Sequence, residues 1–164
     1  MAMRIKRAMD VAMGIVALIL TLPLWAAIAA AIRLDSPGPV LFRQLRVTKD
    51  GAVFKMYKFR TMVAGSQSIP SGGSLDRTVP FFKSRDDPQV TRLGRILRET
   101  SLDELPQLWN VIRGDMSLVG PRPPLPEEVE SYEQDWHFDR LEVLPGITGL
   151  WQVSGRSNLS FDDY

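Results

Sequence analysis

Cysteine is absent from this chain of 164 residues, and histidine occurs once, at position 137. Without thiols there are no disulfides and no thiolate–zinc sites. With a single imidazole there is neither a histidine metal cluster nor much room for a serine–histidine relay. A covalent catalyst in this chain is therefore a carboxylate, a hydroxyl, a lysine or a tyrosine. Charge of one sign is missing too: 20 basic against 19 acidic side chains give a formal net charge of +1. No bulk electrostatic field marks a nucleic-acid binder, and nucleic acid is not expected as a partner. Internal repeats and βαβ alternation are also lacking, so the pattern reads as α+β.

What the chain does have is one long apolar stretch. Val11 to Ile32 is 22 residues without a charge, ten of them Leu, Ile or Val. As a helix it would be about 33 Å long, the thickness of a bilayer core. Pro23 lies at its middle and leaves the carbonyl near Ile19 without an amide partner. Arg4, Lys6 and Arg7 precede the stretch, and Arg33, Arg43 and Arg46 follow it. Three readings fit: a kinked transmembrane helix, a signal peptide with Ala27-Ile28-Ala29 as its cleavage site, and a helix broken near Pro23 that leaves on the side it entered. Basic residues at both ends favour keeping both ends in the cytoplasm, which only the third achieves. Asp10, at the lip, can pair with Lys6 or Arg7 one turn back.

The second feature is SLDELPQLWN, residues 101–110. Ser101 is placed as a helix N-cap, with Asp103 and Glu104 in the first turn, where free amides and the helix dipole collect negative charge. Arg92, Arg95 and Arg98 recur every three residues upstream, with Leu93, Ile96 and Leu97 on the other side. Two carboxylates beside a row of guanidiniums suit a site that handles phosphate with a divalent cation. The same letters also spell a capping box with a solvated arginine face, as at ordinary helix starts. Pro106 fits a first turn but not a helix interior, so the helix can also begin later, with Asp103 as its cap.

Elsewhere, alternating residues on either side of Asp50-Gly51 predict a β-hairpin, with Phe54, Met56 and Lys58 on one face of its second strand and Lys55 and Tyr57 on the other. Residues 64–76 are small and polar and read as a loop, followed by Phe81-Phe82 as core. Helices are expected at about 90–99, 103–113 and 125–141. The last has Leu125, Val129, Tyr132 and Trp136 inward and Glu127, Glu128, Glu130 and Asp135 outward. Arg122, held between prolines, is either pre-positioned for a ligand or part of a plain rigid turn. Gly146, Gly149 and Gly155 surround Trp151 and Gln152; glycines there permit close backbone approach to a ligand or to another segment.

The stretches KRAMD, DSPGPVLFRQLRV, FKMYKFRTM, DPQVTRLGRILRETSLDELPQLWNVIRGDMSLVGPRP and LPGITGLWQVSGR run in order from about residue 6 to 156. Together they resemble the bacterial sugar transferases, the monotopic polyprenyl-phosphate phosphoglycosyl transferases of cell-surface polysaccharide assembly. The resemblance implies transfer of a sugar 1-phosphate from a UDP-sugar to undecaprenyl (polyprenyl) phosphate, with release of UMP and a requirement for Mg²⁺. It implies Asp103 as nucleophile and Glu104 as the Mg²⁺ ligand. It implies Arg98 and Arg122 as phosphate or nucleotide binders, with Lys58 and Arg60 as a basic element near the site. It also implies a re-entrant membrane helix over residues 1–34, broken at Pro23, and a catalytic domain over 35–164. That domain would lie on the cytoplasmic face of the bacterial inner membrane, against the lipid bilayer, with a homodimer as a further partner expectation.

Two departures accompany the resemblance. Family members normally continue past SNLSFDDY with amphipathic helical sequence, and longer relatives carry transmembrane helices and an extra domain before the first motif. The expectation is thus of a chain truncated at its C-terminal side or of a short member. A different class of function, a catalytically silent membrane-anchored module that binds nucleotide sugar or serves as a scaffold, would be marked by loss of the dyad, which is present.

Overall fold

The computed structural model describes residues 2–65 and 88–150. The chain opens with one long helix, α1 (Ala2–Asp35), followed by strands β1 (Leu41–Val47) and β2 (Val53–Phe59). Helix α2 (Arg92–Glu99), a 3-10 turn (Leu102–Glu104) and helix α3 (Gln107–Arg113) come next. Strand β3 (Ser117–Val119), the short helices α4 (Pro126–Glu130) and α5 (Asp135–Asp139), and β4 (Gly146–Thr148) follow, and a 3-10 turn (Lys49–Gly51) joins β1 to β2. The class is mixed helix and sheet, as the sequence predicts. Phe81-Phe82, Trp151, Gln152 and Gly155 lie outside the described residues.

The hairpin forms where the Asp-Gly pair demands it. Asp50 and Gly51 both have positive φ, 59° and 76°, the backbone that an antiparallel two-stranded turn with native twist requires. The register pairs Phe42 with Lys58, Gln44 with Met56 and Arg46 with Phe54. Side chains opposite one another share a face, so these six residues line the inner surface of the hairpin. Phe54 and Met56 pack there against Val111 and Met116. The free edge of β2 is closed by a side chain: the Asn110 amide receives Tyr57 N–H at 3.1 Å and donates to Lys55 O at 2.8 Å. Asn110 thus acts as a missing strand and docks α3 on the sheet.

A second core joins α1 to the rest. Ile28 and Ile32 pack with Phe59 and Leu97, and Leu102 and Leu105 lie against them. Trp25 meets Phe59 edge to face at 5.4 Å. The N-terminal part of α1 is held separately. Arg7 donates to the carbonyls of Val111 (2.7 Å) and Ile112 (3.0 Å) at the C-terminal end of α3. Asp10 is buried, accepts from Ser117 Oγ at 2.8 Å and Leu118 N at 3.2 Å, and pairs with Lys6 at 3.0 Å. The expected Asp10 pairing is present, and it serves to dock the helix.

Between these two attachments, α1 exposes Ile15, Val16, Ile19, Leu20 and Leu22, with Leu20 75% accessible. The helix is long and apolar enough to cross a membrane. The expected break at Pro23 is not found: α1 is continuous, with Pro23 in its interior. Proline removes one amide and crowds the carbonyl four residues back, but the turns on either side keep their own bonds. Thr21 hydroxyl also bonds back to Ala17 O at 2.7 Å, a local adjustment of the kind that bends helices without ending them.

Three further expectations are corrected. The helix at 103–113 starts only at Gln107, after Pro106. Ser101 does hold the N-cap position before Asp103 and Glu104, but of a 3-10 turn, left-handed at φ 58° and without a side-chain capping bond, while its amide turns back to Arg98 O at the end of α2. The helix at 125–141 is two five-residue pieces. The break lets Tyr132 and His137 turn inward while Trp136 faces out, and Glu128 is inward rather than outward. Lastly, β3 and β4 pair in parallel across the α4–α5 connection, a crossover that three-residue strands are too short to reveal by periodicity. Gly146 is there for backbone approach: a Cβ on it would lie 2.1 Å from Gly120 N.

Candidate active site

Asp103 and Glu104 occupy the 3-10 turn between α2 and α3. The turn is held down on both flanks, because Leu102 and Leu105 point into the core shared with Ile28 and Ile32 of α1. The carboxylate pair is therefore mechanically tied to the membrane-type helix. Asp103 is 4% exposed. Glu104 is the more open of the two, and its Oε1 takes Lys58 Nζ at 3.0 Å, with side chains 19% and 17% accessible. Such a half-buried pair is stronger than a surface ion pair, since water screens it less. Because α3 begins at Gln107 and is only seven residues long, the dipole expected to act on the dyad is that of a short helix starting three residues later. Lys58, not the dipole, is the positive partner seen at Glu104.

The arginines separate into distinct roles. Arg98 Nε donates to Thr61 Oγ1 at 2.9 Å, linking α2 to the segment that follows β2. Arg92 and Arg95 are exposed. Arg60 is buried and turned toward the end of α1, donating to Ser36 O (2.6 Å), Pro37 O (2.8 Å) and Ile32 O (3.3 Å). Its charge complements the carbonyl end of that helix. Arg122 Nη1 lies 3.1 and 3.3 Å from the two oxygens of Glu128, so it is neither free in solvent nor committed through all its donors.

Two residues of this neighbourhood escaped the sequence reading. In the sequence Arg46 stands only among the basic flanks of the apolar stretch. Yet it is buried on the inner face of the hairpin, donating to Gln44 Oε1 at 2.8 Å and to Pro123 O at 3.0 Å. Burial first, then the neighbouring Arg122 charge, push its pKa down to about 10, against the opposing pull of Glu128, Glu127 and Glu104. Glu128 lies 3.9 Å from Arg46. The signal was available in the hairpin register, which puts Arg46, Gln44 and Lys58 on the same side as Phe54 and Met56. Polar side chains on a core-facing surface call for a partner. From Arg46 to the Lys58 pair is four residues of strand, about 13 Å.

Among the described residues no group of three acidic or histidine side chains could enclose a metal. Mg²⁺ does not need one: it commonly takes one or two carboxylates and fills the remaining positions with water and substrate phosphate oxygens. Glu104 fits that use, because Oε2 has no partner among the described residues while Oε1 holds Lys58.

Comparison with known proteins places the chain among relatives. The family described as bacterial sugar transferase matches residues 1–164. A galactosyl transferase CpsE of Streptococcus agalactiae is 42% identical over 161 residues, 96% of this chain and 35% of the relative. An undecaprenyl-phosphate galactose phosphotransferase of Salmonella typhimurium is 42% identical over 164 residues, 96% of this chain and 34% of the relative. The exopolysaccharide production protein ExoY of Sinorhizobium fredii is 41% identical over 164 residues, 95% of this chain and 71% of the relative. The chain thus spans about a third of the length of the first two and most of ExoY.

Proposed function

From the premise that the chain belongs to the bacterial sugar transferase family, we propose that it transfers a hexose 1-phosphate from a UDP-sugar to undecaprenyl phosphate and releases UMP. The observation that carries this reading is the Asp103–Glu104 turn, with Lys58 paired to Glu104 and the buried Arg46 within electrostatic reach of Glu104 further along the hairpin.

The chemistry follows from which oxygens are available. An Asp103 carboxylate oxygen attacks the phosphorus that bears the sugar. The bond from that phosphorus to the UMP oxygen breaks, and UMP leaves with the electron pair. Asp103 then carries the sugar phosphate as an acyl phosphate. A phosphate oxygen of the polyprenyl carrier attacks the same phosphorus, and the carboxylate departs intact. Near burial of Asp103 keeps water away from this reactive linkage. Lys58 holds Glu104 in place and adds positive charge where phosphate oxygens gather. Mg²⁺, which Glu104 would hold, would supply neutralisation of the diphosphate charge. Arg122 and Arg98 are the guanidiniums offered to the phosphates.

Placement on one face of the membrane is supported by the two attachments of α1. Arg7 and Asp10 near its start, and Ile28, Ile32 and the Arg60-bound carbonyls near its end, all hold the same small domain. A helix tied to one polar domain at both ends does not put those ends on opposite sides of a bilayer. The exposed apolar middle enters lipid and the domain stays at the surface, here the cytoplasmic face, where nucleotide sugars are. A soluble donor and a lipid acceptor then meet one carboxylate in turn.

The test is incubation with undecaprenyl phosphate, Mg²⁺ and a panel of UDP-sugars labelled in the β-phosphate. Label in lipid with UMP released supports the reading; label leaving as UDP excludes it.

A further inference from the structure

Gln107, the first residue of α3, is 3% exposed, yet among the described residues its side-chain amide has no hydrogen-bond partner. The neighbouring Asn110, equally enclosed, bonds to Tyr57 N, Lys55 O and Asp115 Oδ2. An enclosed carboxamide bonded to nothing is costly, because it has lost water and gained no replacement. It presents two N–H donors and one acceptor oxygen, already stripped of water, to whatever enters beside it.

The backbone puts that amide over the dyad. The amides of Glu104, Leu105, Leu108 and Trp109 bond back three residues, to Ser101, Leu102, Leu105 and Pro106. Leu105 and Pro106 keep right-handed helical angles, so the turn runs into α3 without a bend. Helical spacing of the α type stacks residue i+4 on i, and of the 3-10 type i+3 on i. Position 107 lies over Asp103 by the first and over Glu104 by the second. Two contacts with β2 bracket it. Glu104 takes Lys58 three residues before, and Asn110 takes Tyr57 N–H and Lys55 O three residues after. Gln107 is thus enclosed on the β2 side, next to an Asp103 that is itself 4% exposed.

We propose that Gln107 is a catalytic donor whose Nε2–H groups bond to a non-bridging oxygen of the phosphoryl group that Asp103 attacks. The inference deepens the phosphotransfer reading and rests on it for the identity of that group. As the carboxylate oxygen closes on phosphorus, a donor fixed beside the nucleophile stabilises the charge on the non-bridging oxygens. A neutral amide does so without an ion pair that would blunt the Asp103 carboxylate. The stability given up by leaving the amide unmet returns only when phosphate oxygens arrive, as for a group kept for a ligand.

Gln107→Met keeps the volume and deletes the amide. In the full chain in detergent it is expected to melt at the parent's temperature or above, since an unmet amide becomes an apolar group. Single-turnover UMP release, with UDP-sugar and Mg²⁺ but no lipid acceptor, is expected to fall about thirtyfold or more. The loss should lie in the limiting rate rather than in the donor concentration that half-saturates it. A side chain that only fills space predicts otherwise: UMP release unchanged, or lost in step with a lower melting temperature. Either result overturns the donor role and leaves the phosphotransfer reading standing. If Gln107→Met fails to fold by circular dichroism, Gln107→Leu, also apolar and of similar size, carries the same test. A parent that releases no UMP sinks the phosphotransfer reading, and calorimetric titration with Mg²⁺ and inorganic pyrophosphate then decides on Gln107. Binding weakened about fivefold or more by Gln107→Met keeps it as a donor to phosphate oxygens. Unweakened binding, or none in the parent, ends that role too.

Discussion

At the scale of single residues, the site depends on two carboxylates with different surroundings. Asp103 is enclosed and Glu104 is paired, so their replacement should fail differently. Asp103→Asn keeps shape and removes the proposed nucleophile; UMP release is expected to fall about a thousandfold or more with the melting temperature little changed. Substantial residual transfer would refute the assignment. Lys58→Gln removes the cation from a half-buried pair. Its expected signature is a drop of about a hundredfold in UMP release together with a stability loss of about 1–3 kcal/mol, read by kinetics and thermal melting on the same sample. A variant as active as the parent would place Lys58 outside the chemistry. Asp103, Glu104 and Lys58 could be named from spacing and resemblance, because short motifs keep their neighbours. Glu128 could not, since a helix wheel drawn over 125–141 puts it outside, and only the break after Glu130 turns it inward.

At the scale of elements, helix ends are matched by arginines from elsewhere in the chain. Arg7 of α1 closes the end of α3, and Arg60 after β2 closes the end of α1. The basic residues of the KRAMD and KFRTM stretches thus have structural work beside any topological or catalytic one. The start of α2 adds a tight contact: a Cβ on Gly94 would sit 2.0 Å from Thr61 O, on the segment that Arg98 also holds. Gly94→Ala must push α2 off that backbone, at an expected cost of about 1–3 kcal/mol, with UMP release falling alongside as Arg98 shifts. Unaltered thermal melting would show that the contact relaxes freely. The hairpin was legible because Asp-Gly between alternating strands is a local signal. The helix starts were less so: Ser101 with Glu104 is a capping box in letters, but the left-handed turn that ends α2 uses Ser101 first.

For the whole molecule, the proposed one-sided topology needs a cause, because α1, at 34 residues, is long and apolar enough to cross a membrane. The expectation relied on Pro23; the proposal rests instead on the docking sites at the two ends. Pro23→Ala restores one helical amide and leaves both docks intact, so topology should not change. The chain has no cysteine, which makes the test clean: with Arg4→Cys or Asp35→Cys, an impermeant thiol reagent should label both positions from the same side, with or without Pro23→Ala. Labelling from opposite sides in Pro23→Ala would return the proline to first place. What the sequence alone determined is whatever local chemistry dictates: an apolar helix, an Asp-Gly hairpin, an adjacent carboxylate pair, and a motif order that identifies the family. What only the tertiary structure decided are the partnerships across distance, Arg46 with Glu128, Arg7 with α3, Arg60 with α1 and Asn110 with the edge of β2. Each joins a buried or half-buried charge or amide to a group remote in sequence, and burial requires such a partner without specifying, in any local pattern, where along the chain it lies.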